Sequence, residues 1–299
     1  MKILITGSAG LLGTELCDQL STNNEVWAVD NLSRGVHFPN NVRSVQLNIS
    51  KIENLNTLPT DFDYIYHYGA VNGTSNFYER PNFVLVNNFT CDVNMFEFAK
   101  TCKNLKNLAY ASSSEIVSDE PCSLTELIDI TINNIHNARW SYRLGKICSE
   151  NYLTNSELPW TIFRYFNVYG KNSKQGHFLA DQVNKIHKGI FELIGANETR
   201  SFCHVRDAME ATIYCTENAH KQIINIGNDR ELTILDAANI IANAMGHQNP
   251  AWNIKPSLHG SAINRRPNIT KLRELMPHYA PTNFEDALKE IVNDIHINR

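Results

Sequence analysis

No apolar run in this chain approaches ~18 residues, so no segment is expected to cross a bilayer. There is also no block of basic residues. Lys and Arg number 27 against 31 Asp and Glu, a net charge of −4. That balance argues against nucleic acid as a partner, and the lack of a basic amphipathic helix argues against a membrane surface. Cysteines are few and scattered, at 17, 91, 102, 122, 148, 203 and 215. Their odd count, with no C-x-x-C, fits reduced thiols in a cytoplasmic protein, mostly as small core residues, with no metal site. The adjacent pair Cys203-His204 would point to opposite faces of a strand, so no thiol nucleophile is expected there. The first residues open directly into a strand-like run, and no signal peptide is expected. No internal repeat, low-complexity segment or flexible linker is found.

What is present is organised around Lys2-Ile-Leu-Ile-Thr-Gly7-Ser-Ala-Gly10-Leu-Leu-Gly13. Lys2 to Thr6 reads as a buried parallel strand. Leu11, Leu12, Leu16 and Leu20 then recur at helical spacing. The three glycines therefore sit in a strand-to-helix turn. Gly7 allows the tight turn, Gly10 lets the backbone approach a pyrophosphate, and Gly13 lets the helix close on the sheet. Phosphates would lie at the helix N-terminus, where free N–H groups and the dipole favour anions. A second strand, Glu25 to Asp30, ends in a carboxylate about 20 residues further on, where a ribose 2′-hydroxyl would be bound. Asp30 repels a 2′-phosphate, so NAD is expected over NADP; Arg34 keeps NADP as a minor alternative.

Further strands are expected at Val42 to Leu47, Asp63 to His67, Leu105 to Ala111, Trp160 to Tyr165 and Gln222 to Ile226. Helices are expected from about Phe83 to Lys103 and Trp140 to Asn155. Such alternation implies an α/β fold, a Rossmann-type doubly wound parallel sheet. Gly7, Asp30, Asn48, Gly69, Ser113 and Asn167 all fall at strand ends, where such sheets bind ligands. Residues 1–170, with 201–228 returning to them, are expected to form the NAD-binding domain. Residues 171–200 and 229–299 are expected to form a smaller substrate-binding lobe.

Tyr142 and Lys146 lie four apart on a predicted helix and so share a face. A phenol is a poor base at neutral pH unless a nearby ammonium stabilises the phenolate. Ser113, at a strand end, could hold a substrate hydroxyl beside that phenol. Together the three residues suit alcohol oxidation: the base takes the O–H proton while the cofactor takes hydride.

The chain resembles the extended short-chain dehydrogenases/reductases of the nucleotide-sugar epimerase/dehydratase type. The matching segments are Thr6 to Gly13, His67-Tyr-Gly-Ala70, Asn87, Ala111 to Ile116, Tyr142-x-x-x-Lys146 and Arg164 to Gly170. They continue through Arg200-Ser-Phe-x-x-Val-x-Asp207, Asn225-Ile-Gly227 and Arg265-Arg-Pro-Asn268. The resemblance implies bound NAD, transient oxidation of a sugar carbon, usually C4, and a homodimer. It implies catalytic roles for Ser113, Tyr142, Lys146 and Glu115. Cofactor contacts would come from Gly7, Gly10, Leu11, Leu12, Gly13, Asp30, Asn31, Asn48, Ile49, Tyr68, Gly69, Ala70, Asn87, Tyr142 and Lys146. Ser114, Asn167, Arg200 and Arg265 would meet the nucleotide-diphosphate sugar, which guanidinium groups suit. Ser113-Ser114-Glu115 and Arg139-Trp140-x-Tyr142 resemble patterns of 4,6-dehydratases and UDP-glucuronate decarboxylases, in which a carboxylate assists after oxidation. The single reaction expected is 4-epimerisation, with dehydration or decarboxylation as alternatives. A carbonyl reductase using free NADPH, disfavoured by Asp30, is a further option. A non-catalytic NAD-binding regulator is the reading from another class. Departures from the family pattern are Tyr68 for Leu, Asn48 and Asn268 for Asp, Thr90 for Gly, and Val117-Ser118 for Tyr-Gly. They point to an unusual substrate pocket.

Overall fold

Five largely apolar runs, β1 (Lys2–Thr6), β2 (Glu25–Asp30), β4 (Tyr64–His67), β5 (Asn107–Ser113) and β6 (Trp160–Tyr165), join the polar edge strand β3 (Arg43–Gln46) and the strand Gln222–Ile226 in one sheet. A computed structural model describes residues 1–33, 37–117, 126, 130, 135–173, 176–258 and 261–297 of the chain. Arg34 and Ser118 lie outside the described residues. The strand order is Gln222–Ile226, β6, β5, β4, β1, β2, β3, and every pairing is parallel. The order reverses between β1 and β4, which opens a crevice beyond their carboxyl ends.

Strand alternation sorts the side chains to two faces. Ile3, Ile5 and Ala28 pack under the helices Leu11–Leu20 and Val205–Asn218 through Leu16, Cys17, Met209 and Cys215. Leu4, Val29, Ile65 and Leu108 pack on the other face against Cys91, Met95, Phe96 and Ala99 of the helix Pro81–Thr101. A separate core gathers Tyr169, Leu179, Val183, Phe202, Ile241, Phe284 and Leu288. This core joins Tyr169 and Phe202, from stretches assigned to the cofactor domain, to residues of the expected smaller lobe. No helix among the described residues is long and apolar enough to cross a membrane.

Two boundaries differ from the sequence expectation. The helix Pro81–Thr101 starts before Phe83, because Pro81 fits a first helical turn whose N–H would be unpaired anyway. β5 runs on through Ser112 and Ser113, which pair with Arg164 and Tyr165 of β6. The serine run is thus partly strand, which carries Ser113 to the rim of the crevice.

The helix Leu11–Leu20 lies against the glycine turn so closely that a Cβ on Gly13 would stand 2.2 Å from the Gly7 carbonyl oxygen and 2.6 Å from Ser8 Cα. Backbone cannot yield there as a flexible side chain can. Gly13→Ala is therefore expected to cost about 1–3 kcal/mol by overpacking. Thermal denaturation checks this; an unchanged melting temperature would show that the helix can shift freely.

Candidate active site

The crevice is first a backbone structure. Gly7 has φ +68, and a Cβ on it would strike the Tyr68 carbonyl group at 2.6 Å. Gly10 caps the helix Leu11–Leu20 with no side-chain hydrogen bond, so its N–H end is left to a ligand or water. Leu11 and Leu12 lean onto the core beneath. Asp30, at the end of β2, accepts from the Ala9 amide at 3.1 Å and the Leu32 amide at 2.7 Å. These bonds hold its carboxylate beside the glycine turn. Asn31 and Asn48 close local turns, accepting from the Ser33 and Ser50 amides. Ile49 is buried, and a Cβ on Gly69 would meet Ile49 Cδ1 at 2.6 Å. Gly7, Asp30, Ile49 and Gly69 thus gather at one rim. Bare backbone, an uncapped helix N-terminus and a carboxylate beyond β2 fit a dinucleotide.

Two further polar contacts brace the floor of the crevice. The Tyr68 hydroxyl bonds to the Tyr165 hydroxyl, which reaches Thr212 at 2.8 Å. Its phenol therefore braces the sheet against the helix Val205–Asn218. The asparagine that holds the loop after β4 is Asn88, one residue along from Asn87. It accepts from the Val71 amide at 2.7 Å and donates to the Val71 carbonyl at 2.9 Å. This clamp fixes the strand exit that includes Gly69 and Ala70.

Ser113 ends β5, and its hydroxyl accepts from the Glu115 amide at 3.1 Å, capping the short turn Ser114–Ile116. Ser114 is buried in that turn. The helix Trp140–Thr154 packs on both β5 and this turn. Tyr142 and Lys146 are buried on its inner face. The Tyr142 ring stacks on Phe77 with centroids 4.8 Å apart. Lys146 Nζ donates to Tyr110 Oη at 3.0 Å and lies 3.6 Å from Asp92 Oδ2.

Beyond Ser113 stands a charged cluster. Glu115 accepts from Arg139 at 2.7 and 3.2 Å and from Arg265 at 2.6 Å. Burial opposes its charge, yet Arg265 and Arg139 hold its carboxyl well below the usual range. Arg265 and Arg200 are register neighbours on the paired strands Thr199–Ser201 and Asn264–Arg265. Burial, helped by Arg265, pushes the Arg200 guanidinium down to about 10. Arg200 also donates to Glu198 at 2.7 Å and Ser261 at 3.1 Å. Three guanidiniums (Arg139, Arg200, Arg265) thus face two carboxylates (Glu115, Glu198), leaving one positive charge. Like charges side by side on paired strands are unfavourable. An anionic ligand would relieve them. Asn167, at φ +38, donates to the Ser201 carbonyl at 3.0 Å and accepts from the Cys203 amide at 3.3 Å. It acts as a joint beside the strand that carries Arg200.

Arg139, Asn88 and Asp92 were not among the expected site residues. A signal for two of them existed. Val84, Asn88, Cys91, Asp92, Met95 and Ala99 form one buried helical stripe, and Asn88 and Asp92 are its polar members. Arg139 belongs to the Arg139-Trp140-x-Tyr142 pattern noted above, but its pairing with Glu115, 24 residues away, is not given by spacing.

Residues 3–227 match the NAD dependent epimerase/dehydratase family. The chain is 28% identical to the UDP-N-acetyl-alpha-D-glucosaminuronate decarboxylase of Bacillus cytotoxicus, over 97% of this chain and 96% of that one. It is 25% identical to UDP-glucuronic acid decarboxylase 1 of Arabidopsis thaliana, over 98% of this chain and 69% of the relative. The fold is that of the UDP-glucose 4-epimerase of Thermotoga maritima, with a TM-score of 0.89, 21% identity and 99% of each chain covered. With its glycine turn, its parallel sheet and a family match that spans most of its length, the chain belongs to the NAD-dependent epimerase/dehydratase family.

Proposed function

We propose that this protein oxidises C4 of a UDP-linked hexuronic acid and then releases the sugar carboxylate as carbon dioxide. The observation that carries this reading is Glu115 held between Arg139 and Arg265, directly beside Ser113. The two relatives that act on UDP-uronates support it. NAD, held at the glycine turn and Asp30, would supply reversible hydride chemistry at C4. Ser113 would hold the C4 hydroxyl while the Tyr142 phenolate takes its proton, with Lys146 fixing the charge behind that phenol. The resulting C4 ketone stands β to the carboxylate. The C5–C6 bond can then break, its electron pair moving into an enolate as carbon dioxide leaves. C5 must afterwards gain a proton. Arg139 and Arg265 would orient the departing carboxylate. Glu115 would limit how tightly they hold it, and Arg200 would meet the diphosphate.

4-Epimerisation is the second reading, because Ser113, Tyr142 and Lys146 complete that chemistry without Glu115. Incubation with UDP-glucuronic acid and UDP-N-acetylglucosaminuronic acid, followed by mass and NMR analysis, separates the two. Loss of carbon dioxide supports the first reading; unchanged mass with inverted C4 supports the second. A protein inert to both uronates and to neutral UDP-sugars would overturn both.

A homodimer is part of the same proposal. Phe83 and Val86 stand exposed on the helix Pro81–Thr101, as a helical subunit contact would require. A cytoplasmic location belongs to it too, resting on unpaired cysteines among the described residues.

A further inference from the structure

Behind the proposed Ser113, Tyr142 and Lys146 set lies a sealed polar cluster that the reaction scheme leaves unused. At its centre is Asp92, 1% exposed, on the inward stripe of the helix Pro81–Thr101. Its Oδ2 accepts from Tyr110 Oη at 2.5 Å and from Ser149 Oγ at 2.7 Å, and lies 3.6 Å from Lys146 Nζ. Its Oδ1 is 2.9 Å from His67 Nε2. His67, Tyr110, Lys146 and Ser149 are all buried as well.

Counting donors places the protons. Thr6 Oγ1 accepts from the Tyr68 and Gly69 amides at 3.2 and 3.3 Å. Its own proton is therefore available to His67 Nδ1, 2.7 Å away. His67 then carries its proton on Nε2 and donates it to Asp92. Asp92 faces the hydroxyls of Tyr110 and Ser149, the imidazole of His67 and the ammonium of Lys146. The other titratable groups nearby are Cys91, whose thiol burial pushes up to about 12, and Tyr142, whose phenol interacts with that of Tyr110.

We propose that Asp92 is a positioning residue for the Tyr142–Lys146 pair, its carboxylate seating the Lys146 ammonium from behind and setting the field at the Tyr142 phenol. This rests on the reading of Tyr142 as the base. A buried ion pair is a poor source of stability compared with apolar packing, so stability alone does not account for a carboxylate at this depth. An apolar side chain could fill the space but could not hold an ammonium there. The same bonds run from Thr6, where the glycine turn begins, through His67 and Asp92 to Lys146. They tie the seat of the base to the edge of the cofactor cradle.

Asp92→Asn keeps the shape and removes the charge. Loss of a negative charge makes neighbouring protons easier to lose. Both limbs of the rate–pH profile are therefore expected to move to lower pH by about one unit, with KM for the UDP-sugar unchanged. Tyr110→Phe, which keeps the charge, should move them less. Limbs that stay in place in a folded Asp92→Asn protein, or move to higher pH, overturn the proposal.

A melting-temperature cycle covers the case in which Asp92→Asn does not fold alone. Lys146→Met strands the carboxylate and should lower the melting temperature by several degrees. Adding Asp92→Asn should restore at least half of that loss. A double variant that melts no higher than Lys146→Met overturns the proposal. Tyr142→Phe measured alongside keeps the two readings apart: full activity there refutes the base, while the melting cycle still reports on Asp92 and Lys146.

Discussion

Tyr142→Phe is expected to lower kcat about 10³-fold while the protein stays folded and binds NAD as before. The phenol ring packs flat against Phe77, and phenylalanine keeps that stack. Only the hydroxyl is lost, and with it the group proposed to take the proton of the C4 hydroxyl. Thermal melting should therefore change little, and NAD affinity, read by quenching of protein fluorescence, should hold. Mixing with a UDP-uronate should then give no rapid reduction of the bound cofactor. A variant that turns over at the wild-type rate would remove the phenol from the chemistry. It would also revive the reading of the chain as an NAD-binding regulator.

The second large effect is expected at Glu115. In Glu115→Gln the carboxylate no longer competes with a substrate carboxylate for Arg139 and Arg265. Binding of the UDP-uronate should tighten about tenfold, because the site gains a full positive charge. Turnover should fall about 10²-fold, since stronger ground-state binding of the carboxylate raises the barrier to its release. Steady-state kinetics reads both at once as lower KM and lower kcat. Equal or weaker binding would show that Glu115 does not compete for those guanidiniums. The same substitution leaves Arg139, Arg200 and Arg265 with less compensation, so the ligand-free variant should melt earlier and be rescued by UDP-sugar.

Much of the frame was legible in the residues. The alternation of Ile3, Leu4 and Ile5 sends successive side chains to opposite faces of the sheet, and the two cores divide accordingly. Gly7 and Gly13 announce a turn because only a residue without a Cβ fits there. Asp30 stands beside the glycine turn, as the spacing required. Tyr142 and Lys146 share a helix face because four residues make roughly one turn. The asparagine that clamps the loop after β4, Asn88, was not singled out beside Asn87. Asn87 and Asn88 are adjacent and chemically identical, and only burial separates them. The Tyr68 hydroxyl meets Tyr165, far along the chain, a pairing that spacing does not show.

By itself, then, the sequence specified the strand order's local ingredients, the glycine turn, the carboxylate after β2 and the helix face that carries Tyr142 and Lys146. Each of these follows from backbone sterics or from a repeat of two or about four residues, and such rules act within a few positions. Only the tertiary structure decided which charges meet. Glu115 finds Arg265 across 150 residues, and Asp92 finds His67 across 25. Those pairings depend on distance, burial and exclusion of water, quantities that exist only once the helices have closed on the sheet.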